Sequence, residues 1–348
     1  MKNRVLCFLL VICILVSLSV SFPAYHAAAG TIAEMSAEMR STYGYNASFT
    51  SEEMLEETLS LMLIFPKGMI KEMNDGYRAR GITPSVKEGY WDDGYVSSMD
   101  FITGYIRISS SNLDITLYSV YALGHEIGHA IDNYLGRVMG RTMVSPGLAS
   151  FNGGAKYGDG YVEDVFTTWY ASTSSAEDFA EMAQELFYNP EYVRDYMRKN
   201  PDTPLTKKYN YIIDLIADGF RAIDSKESAF PAIFAIDVFL NGEALVFDVP
   251  ARLINGRTMV PLRPIFEAMG ASVRWNGAAQ TVTATKGDTV VVMTMGSTSP
   301  TINGRVVPID QPGVVISGRT LAPLRFVAEA FGGTVTWNGA ERTARIVI

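Results

Sequence analysis

This sequence predicts an α+β protein in two parts: a mainly helical domain holding a small twisted sheet, then a smaller β-rich domain with an internal repeat. Up to about residue 224, apolar residues recur mainly near the 3.6-residue period of a helix. Between Val86 and Ser109 the residues turn aromatic and β-branched, with glycines at Gly89, Gly94 and Gly104, the mark of short strands and tight turns. After residue 232 short strand-like runs are broken by Asn-Gly and Ser-Gly pairs, and one segment returns 62 residues later.

The chain begins with a targeting signal. Lys2 and Arg4 precede an apolar stretch from Val5 to Val20, and Ala27-Ala28-Ala29 offers a cleavage site before Gly30. The apolar run is short for a membrane span, so residues 1–29 read as a secretory signal peptide and the mature chain as secreted, without a membrane span. Cys7 and Cys13 both lie inside it, and Ile12 stands where a lipoprotein signal needs a small residue. The remaining chain has no cysteine, hence no disulfide framework and no thiolate chemistry. The 348 residues carry 29 Lys+Arg against 37 Asp+Glu, a formal charge of -8, and the leader contains two of the basic residues and none of the acidic ones. With no basic run, the charge argues against nucleic acid as a partner. The length exceeds one ordinary domain, and 48% hydrophobic content suffices for two cores.

Residues 30–224 form the first domain. Ser51 to Phe65 reads as a helix with Met54, Leu55, Leu59, Met62 and Leu63 on its apolar face. A strand from Phe101 to Ser109 is expected to border the functional site. A longer helix runs from Asp114, a plausible cap, to Gly136, a plausible stop, with Leu117, Val120, Tyr121, Gly124 and Ile131 as its core stripe. Residues 225–232 read as a linker.

That longer helix carries His125-Glu126-Ile127-Gly128-His129, an H-E-x-x-H string holding the only histidines outside the leader. Positions i and i+4 share a helix face, so both imidazoles can reach one zinc ion. Gly128 gives clearance between them, and Glu126 stands beside the metal as a general base. A catalytic zinc needs a third protein ligand, and with no further histidine it must be a carboxylate. A downstream helix, Ser175 to Leu186, supplies candidates: Phe179, Ala183 and Leu186 make its buried stripe, and Glu177 and Glu181 lie four apart beside it. On residue type alone Glu163, Asp164 and Asp178 remain alternatives to Glu177. Asp132 is expected to face solvent.

The string His125-Glu126-Ile127-Gly128-His129-Ala130-Ile131-Asp132, then Tyr170, then Glu177-Asp178-Phe179-Ala180-Glu181 seven residues on, resembles the catalytic core of the anthrax lethal factor family. That family includes the secreted Pro-Pro endopeptidases of Gram-positive bacteria. The resemblance spans roughly residues 32–224, with its specific motifs between 121 and 188. It implies a zincin-type domain holding one Zn2+ per chain through His125, His129 and Glu177. Glu126 would be general base and then acid, and Tyr170 would donate its hydroxyl to the oxyanion. Glu181 would accept a hydrogen bond from a ligand histidine. The implied activity is that of a zinc metalloendopeptidase cutting extended, proline-rich (Pro-Pro) segments of surface or secreted proteins. In the Pro-Pro enzymes the residue before the zinc glutamate helps select substrate; here it is the small Ala176, which departs from the pattern. An extended peptide can add its backbone to a strand edge such as Phe101–Ser109. Trp91 offers a stacking face for proline, although a core role is commoner for a lone tryptophan.

Residues 233–348 form the second domain. Ile254-Asn255-Gly256-Arg257-Thr258-Met259-Val260-Pro261-Leu262-Arg263 recurs as Ile316-Ser317-Gly318-Arg319-Thr320-Leu321-Ala322-Pro323-Leu324-Arg325, and Trp275-Asn276-Gly277 as Trp337-Asn338-Gly339. Each copy reads as turn, strand, Pro-Leu-Arg, short helix (Arg263 to Met269, Arg325 to Phe331), glycine stop and hairpin. The order and spacing resemble the copper amine oxidase N-terminal-like domain appended to many secreted bacterial proteins. This region has no His and no Cys, so it offers no good copper ligands. Attachment to the cell envelope of a Gram-positive-type bacterium and plain stabilisation of the chain are both open readings. For the whole protein, an envelope-bound adhesin with a non-catalytic zinc site and a peptidase acting on cell-wall peptides are the alternatives.

Overall fold

A computed structural model describes residues 31–66, 68–89, 97–100, 104–109, 116–220, 235–339 and 341–348. The expected leader and linker, Trp91, Gly94, Asp114 and the start of the Phe101–Ser109 strand lie outside them. The fold class is α+β. The chain divides into two compact units, Met1–Ile212 with Gly219–Ile223 and Ile213–Asp218 with Asp224–Ile348.

The first unit opens with α1 (Ile32–Glu38). Its Thr31 cap and Glu34 exchange hydrogen bonds in a capping box. The mixed four-stranded sheet contains β1 (Asn46–Ser48), β2 (Ser85–Gly89), β3 (Ser97–Asp100) and β4 (Tyr105–Ser109), in the order β1-β2-β4-β3. β1, β2 and β4 run parallel, and β3 lies antiparallel on β4. β4 therefore has neighbours on both sides, and among the described strands the edges are β1 and β3. This corrects the expectation that Phe101–Ser109 offers an edge, because a strand paired on both sides has no backbone groups left for a peptide. Val86, Ile106 and Ile108 bury one face of the sheet.

Two helices follow β1: α2 (Glu52–Met62) and α3 (Met69–Arg78). Ser51 caps α2 by accepting from the Met54 amide. Glu88 Oε2 accepts from the Thr50 and Ser51 amides at 2.7 and 2.9 Å, fixing the entry to α2 against β2. Met54, Leu55, Leu59 and Met62 are buried as the period requires. Leu63 stays 45% exposed, because the helix has ended and the chain turns there.

The 23-residue α4 (Thr116–Val138) packs on α5 (Ser175–Tyr188), and α6 (Pro190–Lys199) and α7 (Pro204–Gly219) follow. Gly136 is not the stop of α4. A Cβ there would lie 2.4 Å from the Met143 Cα, so this glycine lets the returning chain cross the helix. The left-handed residue after the helix is Gly140, at φ +70°.

The second unit consists of paired hairpins. Its strands are β5 (Asp237–Leu240), β6 (Glu243–Leu245), β7 (Arg252–Ile254), β8 (Arg257–Pro261), β9 (Ser272–Asn276), β10 (Thr281–Lys286), β11 (Thr289–Thr294), β12 (Thr301–Ile302), β13 (Arg305–Val306), β14 (Val314–Ile316), β15 (Arg319–Pro323), β16 (Thr334–Asn338) and β17 (Thr343–Val347). The short helices α8 (Leu262–Ala268) and α9 (Leu324–Glu329) fall where the repeat places them. The sheets are ordered β13-β12-β11-β10-β9, β14-β15-β8-β7 and β16-β17-β5-β6. The copies meet at β8 and β15, where Val260 opposes Ala322, its own equivalent 62 residues on. A local two-fold relation therefore passes between those residues. It is repeated outside the sheet, where Arg257 reaches Asp310 and its equivalent Arg319 reaches Asp248, each at 2.6 Å from Nε. Asn241-Gly242, Asn255-Gly256, Asn303-Gly304 and Ser317-Gly318 all have positive φ at both residues, as tight hairpin turns of type I′ require.

Candidate metal centre

Two helices bring the site together, and glycine sets their separation. At Gly128 a Cβ would lie 2.8 Å from both Cα and O of Ala180, so α4 and α5 touch backbone to backbone. Gly128 thus clears α5, not the space between the histidines. Ile127, Ala130 and Ile131 on α4 and Phe179, Ala180, Ala183 and Leu186 on α5 are fully buried around this contact. Ser174 caps α5 by accepting from the Glu177 amide at 3.2 Å, which starts the helix three residues before the candidate ligand.

Across the contact, His125 Nε2 lies 3.0 Å and His129 Nε2 3.2 Å from the same atom, Glu177 Oε2. The imidazoles stand edge to face, with ring centroids 4.7 Å apart. Two ligands about 2.0–2.1 Å from a tetrahedral ion stand roughly 3.3 Å apart, so the three groups, hydrogen-bonded to one another here, could also hold a metal ion. Among the described residues, His125, His129 and Glu177 form the one group of three such side chains close enough to hold a metal ion.

The charge around the site points the same way. Burial disfavours charge on His125, yet Glu177 and Glu181, with help from Glu126, raise its pKa to about 10. Burial likewise opposes ionisation of Glu177, but hydrogen bonds from His125 and His129 reverse this and hold it at about 2. Carboxylates gathered on one imidazole favour a cation at their focus. The charge of Glu126, on the same helix, is felt at both His125 and the Tyr170 hydroxyl. The Tyr170 ring centroid is 5.7 Å from that of His125. Burial, then the Glu177 and Glu126 charges, push its phenol well above the usual range, so it stays a proton donor.

Glu181, one turn after Glu177, sets Oε1 2.9 Å from His125 Nδ1, a charge contact without the alignment of a hydrogen bond. Its other oxygen accepts from Thr168 Oγ1 at 3.1 Å. The other acidic candidates are engaged elsewhere. Asp178 is fully buried, and its Oδ2 accepts from Lys208 Nζ at 2.8 Å and Tyr157 OH at 2.7 Å. Asp164 accepts from Tyr196 OH at 2.6 Å, and Glu163 is exposed. Asp132 does not face solvent as expected. It is 1% exposed, and its Oδ1 accepts from the Val144 and Ser145 amides at 2.7 and 2.8 Å, tying α4 to the chain that leaves it.

Sequence reasoning missed Thr168 and the buried Lys208–Asp178–Tyr157 cluster. Thr168 carries no periodic signal. Lys208 could have been noticed as a cation on the apolar side of α7, between Leu205 and Ile212.

No curated protein matches the chain. Residues 239–346 match the family model of the copper amine oxidase N-terminal domain, which agrees with the repeat, the hairpins and the paired helices of the second unit.

Proposed function

We propose that the first unit is a secreted zinc metalloendopeptidase. The observation that carries this reading is the convergence of His125 Nε2 and His129 Nε2 on Glu177 Oε2, with the Tyr170 ring near His125. Two imidazoles and one carboxylate suit zinc and leave a coordination position for substrate or water. Bound there, zinc would supply a Lewis acid that polarises the scissile carbonyl and acidifies water. Glu126 takes a proton from the attacking water and returns it to the leaving amine. The Tyr170 hydroxyl donates a hydrogen bond to the developing oxyanion. Glu181 orients the His125 ring from its Nδ1 side.

An extended peptide is the substrate form this arrangement favours. Among the described residues no strand pairs with the outer edge of β3, which can accept a substrate backbone as an added strand. The lethal factor-like motifs support proline-rich, Pro-Pro segments as the target, with a flanking preference altered by Ala176. Secretion rests on the leader read in residues 1–29, and among the described residues no helix is long and apolar enough to cross a membrane. For the second unit, envelope attachment is the proposed role, and deleting residues 233–348 and measuring retention on the producing cells tests it.

The direct test is cleavage of a quenched-fluorescent peptide library centred on Pro-Pro by residues 30–348, beside the Glu126→Ala variant. Zinc-dependent cutting by the intact chain alone is expected. Cutting elsewhere, or only in purified cell wall, transfers the substrate assignment. Equal cutting by the variant refutes the mechanism.

A further inference from the structure

Between the second candidate helix and the loop before it, one hydroxyl joins two parts of the site. Thr168 Oγ1 donates to Glu181 Oε2 at 3.1 Å and accepts from the Ala171 amide at 3.0 Å. Glu181 presents its other oxygen to His125 Nδ1 at 2.9 Å. Ala171 is the residue after Tyr170, so Tyr170 lies inside the turn that Thr168 closes. The turn is held on its far side as well. Trp169 O accepts from Ser172 Oγ at 2.6 Å, and Tyr170 O accepts from Thr173 Oγ1 at 2.7 Å. A threonine hydroxyl has one proton to give and lone pairs to receive, so it can serve both partners at once.

We propose that Thr168 is a positioning residue that couples the Tyr170 hydroxyl to the metal ligand His125, acting through Glu181. The inference rests on the zinc peptidase reading and adds to it a residue that makes no contact with metal or substrate. With the hydroxyl in place, the Tyr170 turn and the Glu181 carboxylate share one anchor, and the oxyanion donor keeps a fixed distance from His125. Without it, Glu181 Oε2 loses a donor and the turn loses the one of its bonds that ties it to Glu181. Side chains that orient metal ligands change metal affinity or activity by about 10–100-fold when altered, although they touch neither metal nor substrate.

Thr168→Val keeps the shape of the side chain and removes the hydroxyl, and Thr168→Ser restores it. Two double-mutant cycles read the coupling. In the first, zinc affinity by chelator competition is measured for the wild type, Thr168→Val, Glu181→Gln and the pair. In the second, kcat and KM are measured for the wild type, Thr168→Val, Tyr170→Phe and the pair. Thr168→Val is expected to weaken zinc and lower kcat by about tenfold each, with KM nearly unchanged. Its effect on zinc should largely vanish when Glu181 is already Gln, and its effect on kcat when Tyr170 is already Phe. Groups that act independently add, and coupled groups do not. Additive losses in both cycles, or no loss in Thr168→Val, overturn the proposal, as does a Thr168→Ser variant no better than Thr168→Val. Zinc binding without any peptide cleavage would sink the peptidase reading, while the zinc cycle would still decide the link to His125. A chain that holds no zinc overturns both.

Discussion

Gly128→Ala tests the helix contact on which the site depends. The added Cβ would lie 2.8 Å from Cα and O of Ala180 and 3.2 Å from its carbonyl carbon, where ordinary contact begins at 3.4 Å. Both surfaces are backbone, so no side chain can swing aside, and the helices must part by about 0.6 Å or more. Overpacking of this kind costs about 1–3 kcal/mol, against a gain of about 1 kcal/mol from replacing glycine with alanine inside a helix. The expected net loss is therefore modest, about 0–2 kcal/mol, and the fold survives. The proposed metal site is less tolerant. Glu177 lies three residues before Ala180, less than one helical turn, so the displacement reaches Oε2 almost undiminished. Metal–ligand distances hold to about ±0.2 Å, and a 0.6 Å shift exceeds that several-fold. Zinc affinity should fall at least about tenfold, and at fixed zinc the stability conferred by the metal should shrink by about 1.4 kcal/mol. Chelator competition and urea unfolding with and without zinc measure the two effects. The control is Gly124→Ala, whose Cβ would strike the hydroxyl end of Tyr188 at 2.0 Å, a side chain that can yield. It should lose stability and keep its zinc affinity. Wild-type zinc affinity in Gly128→Ala would refute the close approach of the two helices.

The other variants separate roles within each unit. On the proposed peptidase mechanism, Glu126→Ala should keep fold and zinc and lose activity by orders of magnitude, since Glu126 would carry the proton; activity assays beside metal analysis check this. His125→Ala should lose stoichiometric zinc after dialysis, read by atomic absorption, and a full complement of metal would show that the ligands lie elsewhere. Lys208→Met leaves Asp178 buried without its cation and should cost about 3–5 kcal/mol in urea unfolding, and an unchanged midpoint would contradict the buried pair. Ser317 holds φ +49° at the turn position where the first copy has Asn255, and asparagine tolerates that conformation better. Ser317→Asn should therefore raise the melting temperature slightly, and a fall would count against the type I′ turn.

Much of the site could be read from local spacing. His125 and His129 share a face because they are four apart, and Phe179, Ala183 and Leu186 mark the buried stripe of α5 from period alone. What could not be read were roles set by an element distant in sequence. Gly128 and Gly136 look like a spacer and a stop, yet each is small because another backbone crosses it, Ala180 in one case and Met143 in the other. Asp132 looks like a solvated helix charge until the chain returns and offers it two amides. Among the described strands an edge lies at β3 rather than at the expected strand, because edge position depends on strand order, which alternation does not encode.

The second unit shows the same limit from the opposite side. Its repeat extends further back than the motif strings suggest, to Asn241-Gly242 and Asn303-Gly304 and to the acids Asp248 and Asp310, all 62 residues apart. Equal sequence would predict equal pairing, yet the corresponding hairpins join different partners. The first, β5–β6, pairs in parallel with β17 of the second copy, whereas the second, β12–β13, pairs antiparallel with β11, which follows the first copy. The asymmetry follows from connectivity. Between β10 and the second hairpin the chain supplies β11, which takes the edge of β10 by a tight turn at Lys286–Thr289. In the second copy β17 pairs instead with β5, in parallel, on the side away from β16. A duplicated sequence therefore specifies the turns, helices and central β8–β15 pairing twice. The outer hairpins are paired differently in the two copies, one with β17 and the other with β11.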